Sequence, residues 1–112
     1  MWRERIVSVV GGAESVRDRA AEFAEHGPIA RDQLLAEFQQ SVADADAVLA
    51  RLPPARLLEP RSYQGVNRQF DLDSMAVIFH TLLHTAGHAQ EIVFMTRLTL
   101  GDVYKFANPI GK

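Results

Sequence analysis

The chain has 112 residues, of which 47% are hydrophobic and 23% charged, and this balance predicts one globular domain. A net charge of −2, with arginines scattered along the chain, argues against nucleic acid as a partner. The absence of cysteine excludes disulfides and thiolate metal sites and suits a reducing compartment. No apolar run is long enough to span a membrane, so we expect a cytoplasmic protein that does not bind membranes.

The first half of the chain predicts two helices. Residues 13–25 are rich in helix-forming residues, with apolar members at helical spacing, and Gly27-Pro28 ends this segment. A clearer amphipathic helix is predicted over residues 30–52, because apolar residues recur there at three- and four-residue intervals between acidic ones. Pro53-Pro54 stops this helix.

The second half predicts a connector followed by another long helix. Residues 56–73 have the turn residues of an irregular connector, with at most a short extended piece and no convincing pair of strands. Asp73 or Ser74 is expected to cap a helix that runs to about Leu100, and Gly101 is expected to end it. The tail that follows is expected to fold back over the bundle. We therefore predict an all-α chain.

The last helix is predicted to be apolar on nearly every side of its axis. A helix without a polar face is buried all round, and the other helices of one short chain can hardly enclose it. We therefore predict that a second copy completes the bundle as a homodimer, through a two-fold interface. The residues that point in these different directions are Phe79, Leu82, Leu83, Ile92, Val93, Met95 and Leu98.

Three histidines of this helix, His80, His84 and His88, recur at four-residue intervals and therefore form one stripe. Neutral imidazole is the commonest protein ligand for divalent transition metals, so the stripe predicts a metal site. Glu91 lies in the same sector and is a candidate ligand or general base. Two histidines with one carboxylate form a known ligand set for catalytic zinc or non-haem iron.

A simpler interpretation of the stripe stays open. Each histidine can be a structural residue whose ring nitrogens bond to the backbone, to a side chain or to water. Glu91 can equally be the solvated end of the face. His26, in the turn beside Gly27, is expected to be an exposed loop residue, although a loop can fold over a bundle end and supply a ligand.

The segment 76–92, with its His-x3-His-x3-His pattern, resembles the last core helix of the DinB-like superfamily of damage-inducible, metal-binding helical bundles. The family signature there is His-x3-His followed by x-Gly-Gln-Ile, and weaker likeness extends over nearly the whole chain. The resemblance implies a four-helix bundle with a metal, often nickel or zinc, held by three histidines. Two of these match His84 and His88, and His80 would be a neighbouring residue. Glu91 stands where the family usually carries glutamine.

The resemblance also implies an N-terminally shortened member, because the first helix and first metal histidine of the family precede anything present here. The third ligand would come from His80, Glu91, His26 or a partner chain. Characterised relatives include thiol-dependent transferases and isomerases, in which the metal lowers the pKa of a low-molecular-weight thiol or of water. We therefore expect a metal-dependent thiol transferase or hydrolase. The alternative is a non-catalytic helical oligomer that has lost the metal site through truncation.

Overall fold

The structure, a computed structural model, describes residues 1–65 and 67–105. This part of the chain is mostly helical, as predicted, and none of its helices is both long and apolar enough to cross a membrane. The helices are a π-helix (Arg3–Val10), α1 (Arg19–Ala24), α2 (Arg31–Arg51) and α3 (Ser74–Leu100). The other elements are strands β1 (Pro60–Gln64) and β2 (Gln69–Asp73) and 3-10 turns at Pro54–Leu58 and Gly101–Val103.

The two long helices agree with their predicted bounds to within one residue. At the start of α3, the Asp73 carboxylate accepts a hydrogen bond of 2.7 Å from the backbone N–H of Ala76, which satisfies a donor of the first turn. At its end, Gly101 has φ +50°, a left-handed conformation that favours glycine and stops the helix. Both signals are local in sequence, and this is why they could be recognised without the fold.

The helix predicted over residues 13–25 was too long, because residues 13–18 are not helical. α1 begins after Asp18, whose carboxylate accepts a hydrogen bond of 3.0 Å from the backbone N–H of Ala21. The apolar side chains that suggested a longer helix do not reach the core, since Val16 is 86% exposed and Phe23 is 69% exposed. Helical spacing without a surface to bury gives little stabilisation, and the segment forms only a short capped helix.

The sequence predicted no pair of strands, and this prediction was wrong. β1 and β2 form an antiparallel hairpin in which Tyr63 lies opposite Phe70. The two rings stack with centroids 5.0 Å apart and planes 10° from parallel, and such cross-strand aromatic pairs stabilise a hairpin. Gly65 sits at the turn, where a Cβ atom would come within 2.5 Å of the Phe70 ring.

The chain divides into two compact units, and the first, Met1–Thr81, contains the hydrophobic core. The π-helix packs on α2 and on β1, and Gly11 permits the close approach to α2. A Cβ atom on Gly11 would lie 2.5 Å from the Val7 carbonyl oxygen and 3.0 Å from the Val48 side chain. The fully or almost fully buried apolar residues of this unit are Ile6, Val10, Ala45, Tyr63 and Val77.

The second unit begins at Leu82 and contains the C-terminal part of α3 and the turn at Gly101–Val103. Its large apolar side chains are exposed, so the burial on all sides that the sequence suggested is not reached within one chain. The predicted return of the tail falls mainly on residues 106–110, outside the described residues. The exposed apolar side chains of α3 in this unit are Leu82, Leu83, Ile92, Val93, Phe94, Met95, Leu98 and Leu100.

Candidate metal centre

His84 and His88 face each other on the second unit, as their spacing of one helical turn predicts. Their Nε2 atoms are 3.0 Å apart. The rings meet edge to face, with centroids 4.5 Å apart and planes at 89°. One nitrogen of each imidazole therefore points at the same small region beside the helix.

Glu91 contacts the other side of the His88 ring. Its Oε2 atom lies 2.7 Å from His88 Nδ1, three residues earlier on the same helix. When the Nδ1–H of neutral His88 donates to this carboxylate, the lone pair of its Nε2 faces His84. A carboxylate on the outer nitrogen of a metal-binding histidine commonly sets its tautomer and ring orientation in this way.

The separation of the two Nε2 atoms fits one metal ion. Zinc binds imidazole nitrogen at about 2.0–2.1 Å, so two nitrogens of a tetrahedral site lie about 3.3 Å apart. The observed distance of 3.0 Å between the Nε2 atoms is slightly shorter, and a small rotation of either ring would bring it to that value. The side chains of His88 and Glu91 are 58% and 68% exposed, so an ion can reach them from solvent.

The described residues of one chain do not by themselves complete a ligand set. Across residues 1–65 and 67–105, no group of three or more histidine, aspartate and glutamate side chains is arranged to hold one metal ion. Glu91 contacts the ring of His88 at Nδ1, on the opposite edge from the Nε2 atoms that face each other. What the chain provides is a pair of imidazoles with a supporting carboxylate.

His80 has a different setting from the other two histidines of the stripe. Its Nδ1 lies 2.8 Å from the hydroxyl of buried Tyr63, and its ring packs against Phe70 with centroids 5.4 Å apart. Burial, with smaller contributions from the charges of Arg5 and Arg68, lowers the pKa of His80 below its ordinary value of 6.5. His80 is therefore neutral at pH 7 and accepts a hydrogen bond from Tyr63 when its proton is on Nε2.

His26 lies in the exposed stretch between α1 and α2, outside both helices. The structure agrees with its interpretation as an exposed loop residue. Its role as a metal ligand stays a prediction.

Sequence reasoning missed Tyr63 as the partner of His80. The guanidinium of Arg5 lies over the Tyr63 ring, 5.3 Å from its centroid. The usable signal was the alternation along β1, where Tyr63 is buried between exposed Ser62 and Gln64. Because β1 is only five residues long, the alternation was too short to stand out within the connector.

Comparison of the chain with protein-family models, with curated proteins and with solved structures finds no significant match. Any functional assignment therefore depends on the residues and the geometry described above.

Proposed function

We propose that the chain is a metal-binding helical protein of the DinB-like kind, a homodimer in which His84 and His88 bind a divalent transition metal. Zinc and nickel are the expected ions. The main support is the pair of Nε2 atoms 3.0 Å apart, with a carboxylate against the outer nitrogen of one of them.

Glu91 supports this proposal as a positioning residue, because its carboxylate acts through the ring of His88. The role of general base, which its place in the sequence also suggested, would require the carboxylate to leave Nδ1 of His88. A general base must reach the reacting proton directly or through one water molecule.

The reaction class that we propose is thiol transfer or hydrolysis on a small molecule in the cytoplasm. A divalent metal, when bound, would lower the pKa of a low-molecular-weight thiol or of water. The contribution of the chain is to orient the two imidazoles and to keep the face open, since His88 is more than half exposed. The cytoplasmic location rests on composition alone.

A second candidate function is favoured by the setting of His80. Because its ring is engaged by Tyr63 and Phe70, only two imidazoles of the stripe face each other. This observation supports a non-catalytic helical oligomer without a metal. Such a protein would contain no stoichiometric metal, and a chelator would leave its melting temperature unchanged, whereas loss of a bound ion would lower it.

Metal analysis of protein purified without a histidine tag separates these candidates. The protein is incubated with zinc or nickel, freed of excess ion by dialysis and assayed for metal per chain. We expect the wild type to retain metal, and His84→Ala and His88→Ala to lose it. Gln33→Ala is the control and should retain it, because Gln33 is an exposed polar residue on α2 and not on α3. Equal metal content in all four proteins would contradict the proposed site.

A further inference from the structure

The histidine stripe continues as an apolar stripe along the second unit, with the spacing of a coiled coil. Alternating steps of four and three residues give a mean period of 3.5, which keeps one seam of a helix against a partner helix. The seam has a polar half, followed by an apolar half. Its members within this unit are His84, His88, Glu91, Met95 and Leu98.

The seam is exposed in one chain and is flanked by further apolar side chains. Met95 is 64% exposed and Leu98 is 69% exposed. Ile92 and Phe94, one on each side of the seam, are 64% and 61% exposed. These residues share a sector about 160° wide on the helix, so they form one face.

We propose that two copies of the chain pair in parallel and in register along this seam, and that His84 and His88 of both copies hold one divalent metal ion between them. This inference rests on the proposed metal-binding function and adds where the missing ligands come from. Four imidazoles satisfy a tetrahedral ion, which the two imidazoles of one chain do not. The second copy thereby completes the ligand set.

The order of residues along the seam selects the parallel arrangement. Glu91 is the middle residue of the exposed segment 82–100, so an antiparallel pair covering the segment would have its two-fold axis at Glu91. That pairing sets the histidines of one chain against the apolar half of the other and moves polar imidazole nitrogens from water to an apolar surface, which is costly. Parallel pairing sets histidine against histidine and leucine against leucine.

The size and charge of the seam indicate that the pair depends on the metal. A sector of this width on a helix about 28 Å long offers about 400 Å² per chain, because a helix with its side chains is about 10 Å across. A standard stable interface buries about 800 Å² per partner. Parallel pairing also brings the two Glu91 side chains together, and like charges oppose association. The positive charge of the ion offsets this repulsion.

A shared ion has a consequence for chemistry. A tetrahedral ion held by four imidazoles has no open position, so with zinc the site would serve assembly. A reaction at this site would require an ion that accepts more than four ligands, such as nickel in octahedral geometry.

Sedimentation velocity with parallel metal analysis tests the inference on the full chain. We expect a monomer in chelator, a dimer in zinc and one ion per two chains. The dissociation constant of the dimer should be at least about tenfold larger in chelator than in zinc, because an ion bound only by the dimer shifts the equilibrium by mass action. Leu98→Glu should abolish both the dimer and the retained metal without changing helical content. Leu58→Glu is the control, since Leu58 is 70% exposed but lies in the turn at Pro54–Leu58.

Three outcomes would overturn the shared site. One is a monomer that retains one ion per chain, and another is a Leu98→Glu monomer that retains the metal of the wild type. Both would leave the proposed metal function standing. The third is a dimer that carries no metal and is indifferent to chelator, which would remove the proposed metal function as well.

Discussion

The unit Met1–Thr81 has a buried apolar core, although Val16 and Phe23 stay exposed, whereas the described part of the unit that begins at Leu82 has no buried apolar side chain. In the first, Ile6, Val10 and Val77 are completely buried. In the second, large apolar side chains of α3 are 40–71% exposed. α3 therefore contributes to a folded core at its start, whereas its C-terminal part leaves its apolar side chains on the surface. Burial of apolar area, the main favourable contribution to folding, is concentrated in the first unit.

The histidines of α3 show the same contrast at the level of single residues. His80 is engaged by a buried tyrosine and is kept neutral, whereas His84 and His88 face each other on an exposed surface. The three residues share one spacing, yet their surroundings give them different chemistry. Three experiments test whether the two regions of the chain differ in this way.

The largest effect is expected from a matched pair of isoleucine substitutions. Ile6→Ala should lower the free energy of unfolding by about 2–5 kcal/mol, because it removes a fully buried side chain and leaves a cavity. Ile92→Ala, at a side chain that is 64% exposed, should change it by less than about 0.5 kcal/mol. Denaturant unfolding in chelator measures both. Equal losses would show that the two regions contribute alike to stability.

An intermediate effect is expected when the carboxylate beside His88 is replaced. Glu91→Gln keeps the size of the side chain but weakens its hydrogen bond with His88 Nδ1. Metal affinity should therefore fall about 10- to 100-fold. Competition with a coloured chelator measures the affinity. Glu37→Gln, an exposed carboxylate on α2 that bonds to Gln33, is the control and should leave affinity unchanged. Unaltered affinity in Glu91→Gln would remove its positioning role.

The smallest effect concerns pH. The folded chain lowers the pKa of His80 below 6.5, through burial first and then through Arg5 and Arg68. Below pH 6.5 the unfolded chain therefore binds a proton more readily than the folded one, so this contribution to stability is present above pH 6.5 and declines as the pH falls towards the folded pKa. His80→Gln, which cannot titrate, should show a shallower loss of stability between pH 7 and pH 5. If the free energy of unfolding fell equally with pH in the wild type and in His80→Gln, the lowered pKa of His80 would be contradicted.

The elements that were predicted well are those whose signals lie close together in the sequence. The bounds of α2, the cap at Asp73 and the stop at Gly101 each depend on neighbouring residues. The pairing of His84, His88 and Glu91 followed for the same reason, since residues three and four apart on one helix are neighbours. The buried stripe predicted for α2 was wrong over its first half, where Leu34, Leu35 and Phe38 are exposed, because the period does not show which surface the chain covers. The length of α1 was overestimated, because the helical spacing of its apolar residues does not show whether a core lies beside them.

The two long helices, the mainly helical class and the contact between His84 and His88 could be predicted from the sequence, because all of these depend on the backbone period of one helix. Only the tertiary structure decided that Tyr63 and Phe70 pair across a hairpin and that His80 turns to them. Those contacts join residues 7 to 17 positions apart in the sequence. They form because burial of the aromatic rings stabilises the chain conformation that brings these residues together. Which side of α3 becomes buried is likewise a property of the packed chain, since its apolar residues point in nearly all directions.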